Sequence, residues 1–311
     1  MPSPSDRKVV LVTRRTRLEE LIARYHTAAQ ARFYVESLGA DFSDYQREHD
    51  AYAAARRSVV GVLEQHGRYQ VVERAFLANF LFGPGDVVLA LGQDGLVANT
   101  MKYLDGHPLV GINPEPARYD GVLLPFKAGD FGALLPDLLS DRRAVREVTM
   151  ARATLSDRQT LYAVNDLFVG PRTHTSARYE IRYDGRSEVQ SSSGIIIATG
   201  LGSTAWMRSV VTGAAAIAGA WQGQSAVLDY QPVPWDAERL QFAVREPFPS
   251  KTSRTDIACG LLARGEELRL RSLMPENGVI FSDGMENDHL AFNSGTEAVI
   301  GVAERRGRLV V

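Results

Sequence analysis

The stretch "LALGQDGLVA", residues 89–98, combines an apolar run with a charge at its end. The run stops at Gly92, the carboxylate of Asp94 stands between Gln93 and Gly95, and a helix-compatible segment follows. In a parallel sheet, the turn at the carboxyl end of a strand opens onto the crevice where ligands bind, and the next helix aims its amino terminus there. Gly92 and Gly95 would let backbone N–H groups approach a phosphate closely. A carboxylate repels phosphate, so Asp94 makes chemical sense if it accepts a proton from an attacking hydroxyl or if a metal ion intervenes. The plain alternative is that Asp94 caps the helix and Gly95 makes a turn.

Three further stretches carry polar groups in unusual places. "IIIATGLGSTAW" is a buried-strand pattern that runs into a Gly-rich turn, with the hydroxyls of Thr199, Ser203 and Thr204 clustered beside small residues. Such a loop can admit a flat base or a diphosphate; alternatively, Ser203 caps the following Ala-rich helix and Trp206 belongs to the core. "VNDLFVG" places Asn165 and Asp166 in the middle or at the end of a strand. A buried Asn-Asp pair is costly without partners, so it satisfies a bend or binds polar ligand groups such as ribose hydroxyls. In "VIFSDGMEND", Asp283-Gly284 reads on its pattern as a turn. No GxxxxGK[ST] loop occurs, and no GxGxxG follows the first strand, so the two commonest phosphate-binding loops are excluded.

The elements that must hold these residues alternate through the first part of the chain. Val9 to Val12 is a β-branched run expected as a buried strand, and "TRLEELIARYHTAAQARFYVESLG" follows it as a helix with Thr16 and Glu19 at capping-box spacing. A helix over roughly 44–65, strands at 69–72, 86–92 and 109–112, and a helix from "LVANTMKYL" complete a parallel α/β pattern over residues 1–125. From residue 126 a helix near 129–139 gives way to consecutive strand-like runs separated by turn residues, which predicts a mostly β second domain. One Ala-rich helix interrupts that series, and the chain is expected to end in a hairpin closed at Arg306-Gly307.

Composition narrows the class without naming a function. Of 311 residues, 45% are apolar and 23% charged, and the net charge is −2, which gives no basic footprint for nucleic acid or anionic lipid. A single cysteine, Cys259, permits neither an intramolecular disulfide nor a multi-cysteine zinc site. The start, "MPSPSDRKVVLVT", lacks a signal-peptide core, and no stretch approaches the roughly 18 apolar residues of a membrane span. The expectation is a cytoplasmic protein with neither nucleic acid nor membrane as partner.

The order and spacing of the four polar stretches resemble the ATP-dependent NAD kinases. That family carries a GGDGT loop, an Asn-Glu pair, a TGSTAY-type segment and a late Asp-Gly; here they stand as "GQDGL" at 92–96, "ND" at 165–166, "TGLGSTAW" at 199–206 and "DG" at 283–284. The likeness is sharper to the mitochondrial-type branch, in "VVLVTRRTR", "GINPEPARYDGVLLPF", "FVGPRTHTSARYEI", "QSSSGIIIATGLGSTAW" and "VREPF". The resemblance implies a Rossmann-like parallel α/β domain (1–125), a β-rich, sandwich-like domain (126–294), an active site in the cleft, and a terminal segment (295–311) that packs back on the first domain.

It also implies a reaction. Asp94 corresponds to the aspartate that takes the proton of the adenosine-ribose 2′-hydroxyl of NAD, which then attacks ATP held with Mg2+. Gly92, Gln93 and Gly95 correspond to the ATP phosphate loop, and Asn165 and Asp166 to the pair that binds NAD, Asp standing for the usual Glu. Thr199, Ser203, Thr204, Ala205 and Trp206 correspond to the segment bordering the substrate's adenine and ribose, and Asp283 to the late Asp-Gly. The partners implied are NAD, ATP and a second copy of the chain, most simply a homodimer; no metal ligands are implied by residue. Gln93 and Leu96 stand where the family has glycine and threonine. If that glycine took positive φ, Gln would cost about 1 kcal/mol or more. These two residues favour a second reading, a nucleotide-binding protein that transfers phosphate poorly or not at all. A third is a kinase for another hydroxyl substrate such as a lipid.

Overall fold

In the computed structural model, whose described residues are 6–223 and 228–311, the first β-branched run forms β1 (Val9–Thr13), buried along its length. The first five residues of the amino-terminal segment lie outside the described residues. The chain divides into two units, Met1–Arg146 with Arg308–Val311, and Glu147–Gly307.

In the first unit, β1 is followed by α1 (Arg17–Tyr25), α2 (Ala28–Ser37), α3 (Phe42–His66) and β2 (Tyr69–Glu73). Next come β3 (Val87–Leu91), α4 (Asp94–Met101), β4 (Pro108–Asn113), β5 (Phe126–Lys127) and α5 (Phe131–Leu139). The strands lie in the order β2-β1-β3-β4, all parallel, with β5 beside the far end of β4. The capping box is present: Thr16 accepts from the Glu19 N–H while the Glu19 carboxylate accepts from the Thr16 N–H. The single helix expected over "TRLEELIARYHTAAQARFYVESLG" is two. His26 takes φ 71°, outside the helical region, and the Thr27 hydroxyl accepts from the Gln30 N–H, so a second helix starts with its own cap.

The expected boundary at residue 126 lies instead between 146 and 147. Phe131, Leu134, Leu135 and Leu138 of α5 bury into the same core as Val59 and Leu63 of α3 and Leu89 and Val110 of the sheet. That apolar face, rather than the change in sequence texture, decides where α5 belongs. At the other terminus only residues 308–311 join the first unit, where Arg308 and Leu309 pair in parallel with Pro108 and Leu109.

The second unit is a two-sheet sandwich. Its strands begin with β6 (Val145–Leu155), β7 (Thr160–Ala163), β8 (Asp166–Pro171), β9 (Ala177–Tyr183), β10 (Arg186–Ser192) and β11 (Ile195–Ala198). After α6 (Trp206–Gln222) come β12 (Arg239–Val244), β13 (Cys259–Ala263), β14 (Leu268–Ser272), β15 (Gly278–Ser282), β16 (Met285–Ala291) and β17 (Glu297–Val310). One sheet has the antiparallel order β13-β12-β11-β8-β15-β16, and the other runs β10-β9-β14-β17 with β6 paired to β17 and β7. Their facing residues, among them Leu167, Ile197, Phe242, Tyr179, Leu270 and Ile300, form one core. No hairpin closes at Arg306-Gly307: β17 runs through both residues. Within this unit Arg306 is paired with Glu147 and Glu238. Among the described residues no helix is long and apolar enough to cross a membrane.

Candidate functional site

Asp94 is the first residue of α4, directly beyond the carboxyl end of β3. It does not cap that helix. The cap position is held by Gln93, whose side chain makes no capping bond, and Asp94 Oδ1 accepts the backbone N–H of Leu123 at 2.7 Å. Its other carboxylate oxygen has no protein partner among the described residues. One oxygen is therefore anchored and one is open, beside an exposed Gly95 where an added Cβ would meet nothing within 4 Å. That is the arrangement a proton acceptor needs: a fixed direction with a free lone pair.

The two departures from the family loop are absorbed by the local fold. Gln93 adopts φ −113° and ψ 165°, ordinary extended backbone in which glycine is not required. Leu96 is 2% exposed and turns inward, its Cδ2 lying 2.8 Å from where a Cβ on Gly92 would sit. Gly92 is thus needed for the close approach of the loop to Leu96, and position 96 feeds the core rather than the open side of the loop.

The loop over 114–124 that presents Leu123 is itself held at several points. Gly111 of β4 packs against it so closely that an added Cβ would stand 1.9 Å from the Leu123 carbonyl oxygen. The Asn113 side chain donates to the Tyr119 carbonyl at 3.0 Å and accepts from the Glu115 N–H. Both terminal nitrogens of Arg118 donate to Asp44 of α3, at 2.9 and 2.7 Å. Asp44 also accepts from Arg17, while Glu48, buried one turn further along α3, takes Arg14 and Arg17. The hydrogen bonds from Arg118 and Arg17 hold the Asp44 carboxyl well below the usual range. Tyr52 ties the strand ends together, its hydroxyl accepting the Arg14 N–H and donating to the Leu91 carbonyl.

In the second unit, Asn165 and Asp166 do not sit within one strand. The expected continuous strand breaks after Ala163, and β8 restarts at Asp166. Asp283 explains the break. Asp283 and Gly284 both take positive φ, 53° and 69°, and form the two-residue turn between β15 and β16 expected from the sequence. The Asp283 carboxylate additionally accepts the backbone N–H groups of Val164, Asn165 and Asp166, at 2.6–3.3 Å. It clasps the Asn-Asp segment through the main chain.

Thr199 and Ser203 act on the same segment from the other side. Both are fully buried. The Thr199 hydroxyl donates to the Val164 carbonyl and its N–H to the Asn165 carbonyl. The Ser203 hydroxyl donates to the Gly200 carbonyl and accepts the Val233 N–H, so it does not cap α6. The glycines of "TGLG" are filled by protein: a Cβ on Gly202 would lie 2.0 Å from the Asn165 carbonyl oxygen, and one on Gly200 2.1 Å from that of Pro234. Thr204 and Ala205 are exposed, the Thr204 hydroxyl donating to the Leu201 carbonyl. Trp206 is half-buried, stacked on Phe168 at 5.8 Å with the Arg245 guanidinium 5.5 Å from its ring centre.

What remains open is Asp166. It is 6% exposed, with no cation paired to it among the described residues, and shares a face of β8 with Phe168. Burial, together with the neighbouring Asp283 charge, pushes its carboxyl up to about 7. A desolvated, unpaired carboxylate of this kind is stabilised by ligand hydroxyls that donate to it.

The amino-acid sequence is 25% identical to a "Probable NADH kinase" of Oryza sativa over 228 residues, 66% of this chain and 64% of that protein. It is 27% identical to "NAD kinase 2, mitochondrial" of Rattus norvegicus over 250 residues, and 35% identical to an "NAD kinase" of Burkholderia multivorans over 130. The shares covered are 64% of this chain and 59% of the rat protein, and 39% and 42% for the bacterial one. In sequence the chain is similar to NAD and NADH kinases. It spans less than two thirds of the length of these relatives. No protein-family model matches it. The fold is that of yeast NADH kinase solved with NADH, at TM-score 0.61 and 13% identity over 98% of this chain and 83% of that one. An NAD kinase from Archaeoglobus fulgidus solved with ATP gives 0.56 and 16%, covering 97% and 93%.

Several residues that build the candidate site do not stand out in the sequence. Leu123, Gly111 and the Asp44–Arg118 clamp support Asp94 through the main chain or at long range. For Gly111, Arg118 and Leu123 the signal is "GINPEPARYDGVLLPF", which carries a likeness but no chemistry of its own; Asp44 lies outside it.

Proposed function

We propose that the protein transfers the γ-phosphate of ATP to the 2′-hydroxyl of the adenosine ribose of NAD, giving NADP. The observation that carries this reading is Asp94, anchored through one oxygen by the Leu123 N–H and open at the other, at the carboxyl end of β3. The open oxygen accepts the hydroxyl proton as the ribose oxygen attacks the γ-phosphorus and ADP leaves. Gly92, Gln93 and Gly95 offer the backbone that the ATP phosphates approach. Asn165 and Asp166 take ribose hydroxyls, positioned by Asp283, Thr199 and Ser203, and Thr204, Ala205 and Trp206 border the base.

Mg2+ neutralises phosphate charge when bound, and the residues fit its arrival with ATP. Among the described residues no group of three His, Cys, Asp or Glu side chains forms a cage, which fits an ion that would be carried by the ATP phosphates and not by the protein. A homodimer is part of the reading: α6 is rich in apolar residues, yet leaves Ile217 and Trp221 exposed at 63% and 87%. A cytoplasmic location accords with the lone, unpaired Cys259.

The test is NADP formation by purified protein with Mg2+, NAD or NADH, and ATP or polyphosphate. NAD binding with no NADP from any donor would instead establish the second reading, a nucleotide-binding protein without efficient transfer.

A further inference from the structure

The face of β8 that carries Asp166 continues to a small cavity beside Trp206. Its volume is about 180 Å³, and Phe168, Phe281, Trp206, Arg172, Arg245 and Glu286 are among its lining residues. That is below the roughly 300–1,000 Å³ of pockets that enclose a whole drug-sized ligand, so it takes one planar ring of a larger molecule. Three of its walls are flat: Phe168 stacks on Phe281 at 4.8 Å and on Trp206 at 5.8 Å. Two others are cationic. The Arg245 guanidinium lies over the Trp206 ring, 5.5 Å from its centre, and Arg172 donates to a ring nitrogen of His289 at 2.8 Å. Neither arginine is paired with a carboxylate among the described residues. Glu286, the acid on the lining, is exposed, where solvent screens it.

Position along the strand says which ring fits. Asp166 and Phe168 are two residues apart in β8, about 6.6 Å, which is the reach from a ribose hydroxyl to the base that the ribose carries. On the reading above, on which this inference rests, Asp166 takes ribose hydroxyls and the adenosine 2′-hydroxyl goes to Asp94. The ribose at Asp166 is then the other one of the dinucleotide, and the base that Trp206 borders is nicotinamide. That ring is a cation in oxidised NAD and neutral in NADH. An aromatic wall by itself attracts the cation. Here the Trp206 ring already carries a guanidinium, which repels a second positive charge beside it.

We propose that Arg245, supported by Arg172, makes the protein select NADH over oxidised NAD as acceptor. Two unit charges about 6 Å apart near a protein surface interact strongly enough to change affinity by roughly three- to thirtyfold. The acids further along do not cancel this, because Asp283 turns to three main-chain N–H groups and Asp166 to the ribose.

Calorimetric titration of the full chain at pH 8 with NADH, oxidised NAD and ADP-ribose, which lacks the ring, tests it. NADH is expected to bind at least about threefold tighter than oxidised NAD. Arg245→Gln should tighten oxidised NAD about threefold or more, with NADH and ADP-ribose within about twofold of wild type. A merely structural role for Arg245 would weaken ligands and would not improve one of them selectively. Arg245→Lys keeps the charge and should keep the preference. Should Arg245→Gln melt early, Arg172→Gln carries the same test from an exposed residue. Equal binding of the two forms by wild type, or a ratio unchanged in both Gln variants, would overturn the inference and leave the dinucleotide site in place. Binding of none of the three would remove the site itself, and the inference with it.

Discussion

Asp166→Asn should make the protein more stable at neutral and higher pH, and the gain should vanish in acid. In the folded protein the Asp166 carboxyl is pushed from 3.8 up to about 7 by burial and by Asp283. Below about pH 4 the group is protonated in both folded and unfolded chains and costs nothing. Between about pH 4 and 7 the unfolded chain ionises while the folded one retains its proton, so stability falls as pH rises; above the folded value the cost is constant. Each pH unit in that window is worth about 1.4 kcal/mol, so the full difference reaches up to about 4 kcal/mol. Asn has the same shape and no charge. Urea denaturation of both proteins at constant ionic strength from pH 4 to 8 should show variant and wild type converging at the acid end and separating by several kcal/mol at the other. A difference that stays flat across the series would refute the reasoning. Under the proposed assignment, ribose hydroxyls donate to the ionised carboxylate, so saturating NAD should shrink the separation at pH 8.

Four other changes test the remaining contacts. Asp94→Asn should lower turnover about 10²–10⁴-fold with NAD affinity little altered, measured as NADP formed per enzyme; unchanged turnover would remove Asp94 from its role. Gly111→Ala forces a Cβ against the Leu123 carbonyl and should cost about 1–3 kcal/mol while shifting the N–H that orients Asp94, seen as a lower Tm and a lower kcat together. Asp283→Ala leaves the N–H groups of Val164, Asn165 and Asp166 without their carboxylate and should destabilise by about 2–4 kcal/mol in urea. Leu96→Thr, which restores the family residue, should not restore a ligand contact: it places a hydroxyl in the core and should lower stability by about 2–4 kcal/mol without raising kcat.

The parallel order of the first unit was legible because its strands are short, mostly apolar runs rich in Val that alternate with helices, one of them with a strong start signal in Thr16 and Glu19. Boundaries were less so. Residues 16–39 keep a helical texture across His26, and only the backbone turn at that residue shows two helices. Residues 126–146 look unlike what precedes them, yet Phe131 and Leu135 complete the first core. Arg306-Gly307 has turn chemistry but lies inside the long strand β17.

The candidate site divides in the same way. The amino-acid sequence by itself determined which groups could do chemistry: a carboxylate between polar and glycine residues at a strand end, an Asn-Asp pair, a hydroxyl-rich turn and an Asp-Gly. These are local patterns, set by residue type and spacing. Only the tertiary structure decided what each group does, because that depends on partners far away in the chain. Leu123 takes one oxygen of Asp94 and leaves the other open; Asp283 turns its carboxylate to the backbone at 164–166; Thr199 and Ser203 turn their hydroxyls to carbonyls; and Asp166 is buried beside Asp283 with no cation paired to it among the described residues.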